Sequence, residues 1–233
     1  MREFQYGCEW TAKPITVDGV LNESVWSKIK PVGKFALSDG SGPASRQTEA
    51  KLCWDNINLY VAFDCVDPDI WGSMFNRDDP IYDEEVVEIF LDPDGDMKTY
   101  YEFEVSPHNT LFDTIICNPS GSQKKGDLQV NSEWNCLGIK TAVKVEGTLD
   151  DRSDTDKGWT VEMAIPFSSL EAPHVPPRNG DVWRANLYRI DLTPKPEFSC
   201  WSPTLLVPPD FHVPKAFGKL IFVKDLSNKK KRN

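Results

Sequence analysis

No run in this 233-residue chain is long and apolar enough to span a bilayer, which takes about 20 consecutive apolar residues. The segment Met1 to Trp10 lacks the apolar centre of a signal peptide. The sequence therefore reads as that of a cytoplasmic protein, or of a secreted or periplasmic one whose signal has been removed. Positive charge is in short supply: 26 Lys and Arg stand against 36 Asp and Glu, a formal net charge of −10. An acidic surface repels phosphate backbones and anionic lipid, so neither nucleic acid nor membrane is an expected partner, whereas a neutral ligand is compatible. The one basic cluster, Lys229, Lys230, Lys231 and Arg232, reads as a solvated tail. The six cysteines (8, 53, 65, 117, 136 and 200) form no CxxC pair, so a structural zinc site is not expected. Cys53 and Cys65 lie in strand-like apolar runs and are expected to pack as small hydrophobes, and a chain of this length does not need disulfides. A Ser-His-Asp triad, a phosphate-cradling glycine loop and a redox CxxC motif have no signature here.

What the chain has in quantity is aromatic residues: eight Trp, twelve Phe and six Tyr, able to fill a core or to form flat recognition surfaces. Helical periodicity is nearly absent. One short helix is expected over Glu23 to Ile29, capped by Asn22 and closed by Pro31. Elsewhere, short alternating runs are separated by Pro, Gly, Asp and Asn. Thr48 to Trp54 places Ala50, Leu52 and Trp54 on one face, and Asp55-Asn56 turns into Asn58 to Val66, which reads as a β-hairpin. Further strands are expected at Val86 to Leu91, Thr99 to Val105, Leu111 to Cys117, Ile139 to Val145, Trp159 to Ile165, Val182 to Ile190 and Phe217 to Val223. Pro-rich loops occupy Pro173 to Gly180 and Pro194 to Pro214. Many short strands at fairly even spacing, with little helix, predict an all-β antiparallel sandwich, jelly-roll or immunoglobulin-like, with at most one or two short helices. No linker or repeat divides it, so residues 1–233 are read as one domain, with a core over about residues 15–224 and a basic tail at 225–233.

Four stretches resemble the family 9 carbohydrate-binding modules appended to xylanases. They are Ile15-Thr16-Val17-Asp18-Gly19-Val20-Leu21-Asn22-Glu23 with Trp26, the hairpin from Ala50 to Asp67-Pro68, Tyr82 to Asp92, and Phe211 to Leu220. Trp159 to Ile165 fits a strand of that family as well, and the likeness runs from about Ile15 to Phe222. The resemblance implies a β-sandwich that does no chemistry and clamps the end of a sugar chain between two aromatic rings. One face of a pyranose is lined with C–H groups and its rim carries hydroxyls, so apolar walls and a few placed polar groups suit it.

By position, the resemblance puts one clamp residue on Tyr82 and the other on Phe211, where family members can carry the larger Trp. Trp201, in the preceding loop, is a further candidate for stacking surface. Glu88 matches a sugar-contacting acid, and a carboxylate can accept two adjacent hydroxyls. Glu104 stands where the family has a basic sugar-contacting residue. Asn186 and Arg189 lie in the late strand that supplies polar contacts. A regular strand puts Asn186, Tyr188 and Ile190 on one face and Arg189 on the other, so they cannot all line one pocket without a bulge; Arg189 is the favoured contact, since a planar guanidinium both stacks and donates in a fork. His212 is a candidate at the rim. The expected partner is a plant-type polysaccharide or oligosaccharide bound by a monomer in support of carbohydrate catabolism.

The resemblance requires no cofactor but is compatible with structural calcium. Two oxygen-rich turns bear on that point, Asp64, Asp67 and Asp69, and Asp92, Asp94 and Asp96. The second begins like an EF-hand, but its twelfth position is Phe103 and not an acid, which excludes a regular EF-hand. Both turns also read as simply solvated, and no ligand is assigned. Two other chemistries are carried as alternatives. A glycoside hydrolase would need paired acids, for which Glu88 with Glu102 or Glu104 is conceivable. A haem-binding electron carrier would need axial ligands from His108, His174, His212, Met74, Met97 or Met163. A protein-interaction module with a lost sugar site is the remaining reading.

Overall fold

The computed structural model describes residues 3–119 and 127–224; the basic tail expected at 225–233 lies outside the described residues. The strands are β1 (Gln5–Trp10), β2 (Ala36–Leu37), β3 (Thr48–Trp54), β4 (Asn58–Val66), β5 (Val86–Asp92), β6 (Thr99–Val105), β7 (Leu111–Cys117), β8 (Gln129–Asn131), β9 (Lys140–Glu146), β10 (Gly158–Pro166), β11 (Val182–Asp191), β12 (Glu197–Cys200) and β13 (Gly218–Val223). Among the described residues there is no α-helix, only short 3-10 turns at Ile81–Asp83, Phe167–Ser169 and Pro214–Ala216.

All strands belong to one sheet, ordered β8-β7-β6-β5-β11-β13-β1-β3-β4-β10-β9, with β12 and β2 appended to β11. The sheet curls into a sandwich. Ala50, Leu52, Trp54, Val61, Phe63, Trp159 and Val161 from one half meet Ile89, Leu91, Phe103, Trp183 and Leu187 from the other in a single buried cluster. Full burial of each large apolar side chain is worth roughly 1.5–3 kcal/mol.

Two features differ from the expected antiparallel sandwich. β1 pairs in parallel with both β13 and β3, so the sheet is mixed at that seam. The core also begins ahead of residue 15, because Tyr6 and Cys8 are buried in it. The expected helix over Glu23 to Ile29 is instead a succession of turns. Trp26 N–H bonds to Glu23 O and Lys28 N–H to Val25 O, and the only helical bond runs from Ile29 N–H to Val25 O. So short a segment cannot propagate a helix, and Trp26 and Ile29 are pinned to the sheet beside Tyr60 and Ala164. All six cysteines are free, and every one except Cys117 is buried.

The sandwich leaves two outer faces to be covered. Residues 15–29 close the face of β4 and β10. The face of β5, β6, β7 and β11 is covered by Ile81, Phe211 and Phe217, and there the closure is incomplete.

Candidate functional site

Strand alternation builds the floor of the site. On β5, Val87, Ile89 and Leu91 turn into the main core, which leaves Glu88 and Phe90 on the outer face. On β6, Tyr101, Phe103 and Val105 turn inward and leave Tyr100, Glu102 and Glu104 outside. The register places Glu88 opposite Glu104, Phe90 opposite Glu102, and Glu104 opposite Phe112 of β7. On the other side, Glu88 faces Tyr188 of β11. Over this floor come the turn Ile81–Asp83 and the loop Leu206 to His212, enclosing a pocket of about 720 Å³.

The aromatic groups are held by one another. Tyr82, 44% exposed, rests edge-on against Phe112 with ring centroids 5.3 Å apart. Phe211 stacks on Tyr188 at 4.2 Å and 16°, and the Tyr188 hydroxyl donates to Phe211 O at 2.9 Å. His212 lies 5.3 Å from Phe90 between ring centroids, and its Nδ1 is 3.0 Å from the Tyr100 hydroxyl. Its backbone N–H donates to the Asp210 carboxylate, which fixes the bend of the loop.

The acids have no such support. One carboxylate oxygen from each of Glu88, Glu102 and Glu104 lies within 4.8 Å of the others, and all three residues are buried. No donor from elsewhere in the protein reaches Glu88 Oε1 or either oxygen of Glu104; the bond open to Glu104 is one to Glu102, when one of the two acids carries a proton. Burial pushes both carboxyls well above the usual carboxylate range; the charge of Glu102 adds to this at Glu88, and those of Glu88 and Glu102 add to it at Glu104. Among the described residues lining the pocket, His212 is the only basic side chain.

The structure brings Tyr82, Glu88, Phe211 and His212 together around this pocket and places three other candidates elsewhere. Asn186 shares the outer face but is fully buried, its amide donating to Ser202 O and accepting from Ser202 N–H. Arg189 points to the opposite face, as alternation requires, where its guanidinium joins Asp67 at 2.9 Å, Asp191 at 2.8 Å and Val66 O at 2.7 Å. Trp201 is a core residue, edge-on to Phe4 and so close to Gly218 that a Cβ there would lie 2.5 Å from its ring. Phe90, Phe112 and the Leu206–Asp210 loop are not among the sequence candidates, whereas Glu104, at a sugar-contacting position of the family, and Glu102, as a conceivable partner of Glu88 in an acid pair, do join Glu88 at the pocket. The signal for the acids was available: Glu102 and Glu104 alternate with Tyr101, Phe103 and Val105.

The first oxygen-rich turn fits calcium poorly. Asp67 is held by Arg189 and by Trp159 Nε1, and Asp69 by Arg152, so the counter-cations are the protein's own; Asp64 points away, exposed. Asp92, Asp94 and Asp96 do converge, but Asp92 spends both oxygens on the N–H groups of Gly95 and Met97. Asp96 spends one oxygen on those of Lys98 and Thr99. These turn-closing bonds leave further lone pairs on the same carboxylates, so this second turn neither requires nor excludes a cation. The three histidines are engaged separately, His108 with Asp150, His174 with Asp181 and His212 with Tyr100.

Comparison with known proteins bears on the fold and the family. A region of the endo-1,4-beta-xylanase A of Thermoanaerobacterium saccharolyticum is 26% identical over 166 residues, 71% of this chain but only 12% of the xylanase's length. An extracellular protein of Arthroderma benhamiae is 27% identical over 187 residues, 76% of this chain and 79% of its own. Among solved structures, a family 9 carbohydrate-binding module from Caldicellulosiruptor kristjanssonii, in complex with cellotriose, superposes with a TM-score of 0.64 over 96% of each chain at 17% identity, a likeness of fold. The sequence profile of carbohydrate-binding family 9 matches residues 43–222, most of the chain, and the protein belongs to that family.

Proposed function

We propose that the domain binds an oligosaccharide or the end of a polysaccharide in the pocket over β5 and β6, without catalysis, in support of carbohydrate breakdown. The observation that carries this reading is the pocket's composition. A half-exposed Tyr82 ring and the Phe90, Phe112 and Phe211 rings line the same space as carboxyl groups with free lone pairs. Apolar walls suit the C–H face of a pyranose, and the carboxyl groups suit its hydroxyls. The family's binding of carbohydrate and the cellotriose held by a structural relative support the same class of ligand.

Glycoside hydrolysis is the less favoured reading. A glycosidase sets two carboxyl groups on either side of the scissile bond. Glu88 and Glu104 are cross-strand neighbours side by side on one wall.

Calorimetric titration of hits from a glycan array tests the proposal. Tyr82→Ala is expected to weaken binding by about 1–3 kcal/mol, the worth of a well-buried aromatic surface. Unchanged affinity in the folded variant removes Tyr82 from the site. Absence of binding to any glycan rejects the carbohydrate reading.

A further inference from the structure

A cluster of acids is common on protein surfaces, but this one is neither exposed nor satisfied. Glu104 is 0% exposed and Glu88 2%, yet both residues line the pocket, and Glu88 Oε1 and both oxygens of Glu104, themselves almost without exposed surface, have no donor from elsewhere in the protein. Buried polar groups ordinarily find partners, so orphaned carboxyl oxygens in a binding cavity point to a ligand that supplies the donors. The missing group is a donor of positive charge, because every charged neighbour that bears on Glu88 and Glu104 is another acid.

From this we infer that the pocket selects a sugar bearing a free ammonium group, as in a glucosamine unit, which would sit among Glu88, Glu102 and Glu104. This rests on the carbohydrate reading above. An –NH₃⁺ group has three donors and no acceptor, one for each carboxyl group. Three acceptors about 2.8 Å from a tetrahedral nitrogen lie about 4.6 Å from one another. The three glutamates offer oxygens within 4.8 Å. A bare metal ion matches the oxygens but not the rest of the site. The cavity is about 720 Å³ and is walled by Phe90, Phe112 and Phe211, which suit an organic body carrying the charge. Those ring faces also attract a cation. In the empty pocket, burial and mutual repulsion keep protons on Glu88 and Glu104; an arriving ammonium takes their place as counter-charge, and the protons leave to solvent.

The test is calorimetry on the intact chain with three trimers of one backbone: cellotriose, the β-1,4-linked glucosamine trimer and its fully N-acetylated form, each with chelator and with added calcium. The glucosamine trimer is expected to bind about tenfold or more tighter than either neutral trimer, a modest return for charge-assisted hydrogen bonds. Its binding enthalpy should vary with the ionisation enthalpy of the buffer, because protons are released. Glu104→Gln and, separately, Glu102→Gln should shrink the preference, whereas Tyr82→Ala should weaken all binding trimers alike. Equal or tighter binding of cellotriose overturns the ammonium inference and leaves the carbohydrate reading standing. Cellotriose binding that appears only with calcium overturns it in favour of a metal bridge. If no glycan of any kind binds, both readings fall.

Discussion

Glu162 on β10 and Glu104 on β6 are both 0% exposed, and both lie on outer faces of the curled sheet. Glu162 is sealed beneath residues 15–29. Its Oε1 accepts from Trp26 Nε1 at 2.8 Å, and its Oε2 accepts from the N–H groups of Asp18 and Gly19 at 3.0 Å each. Gly19 can make that approach because its φ is +79° and a Cβ there would meet the Val143 backbone at 2.8 Å. At Glu162, burial raises the carboxyl's pKa and three hydrogen bonds work against it; at Glu104, burial and the neighbouring acids all push the same way. The first face uses its acid to fasten a segment of chain. The second leaves its acids without a donor from elsewhere in the protein, the feature on which the proposal of a bound ligand rests. The Asp18-Gly19…Trp26 stretch, ahead of the family match at residues 43–222, is thus a structural latch, and the site proposed above lies on the other outer face.

The contrast can be broken most directly at the latch. Glu162→Ala orphans two buried donors and a part-buried one and should cost about 2–4 kcal/mol in urea unfolding, with ligand affinity unchanged in the folded fraction. Glu104→Gln should act with the opposite sign, stabilising the fold by about 1–2 kcal/mol at pH 8 because an unsatisfied acid is removed. That gain depends on pH. A carboxyl whose folded pKa is raised destabilises the native state progressively as pH climbs above its unfolded value of 4.5, so the gain should vanish near pH 4. Thermal melts of both proteins from pH 4 to 8 check it, and a gain that does not change with pH would contradict the electrostatic account. Trp26→Phe keeps the packing and deletes one donor to Glu162, for a loss of about 1 kcal/mol. Tyr82→Ala, on the open face, should change stability by less than about 0.5 kcal/mol although it weakens the ligand.

Alternation made much of the fold legible. Thr48–Trp54, Asn58–Val66, Thr99–Val105 and Leu111–Cys117 are strands over the ranges their apolar patterns mark out. β1 was not read as a strand, because QYGCEW is short and its partner β13 lies at the far end of the sequence, a pairing no local pattern carries. At the site, Tyr82, Glu88, Phe211 and His212 reach one pocket because each sits on the outer face of its strand or in a loop that folds over it. Parity already set Arg189 apart from Asn186 and Tyr188. What parity did not reveal is that Asp67 and Asp191 wait inside for that guanidinium, or that Ser202 takes up the Asn186 amide. Trp201 shows the limit of reading loops as surface, since its backbone N–H bonds Leu187 O and its ring is committed to the core.

The parallel seam at β1 also bears on how the chain reaches this state. Gln5 lies opposite Lys219, and Glu9 opposite both Val223 and Cys53. The two halves of the sheet are therefore joined through a strand whose partner lies at the opposite end of the domain's sequence. Contacts of such high contact order form slowly and expose unpaired edges in the interim. β3, β4, β10 and β9 can pair with one another first, but β1 keeps one open edge until β13 joins it, so closure of the sandwich waits on the pairing of the two ends of the domain.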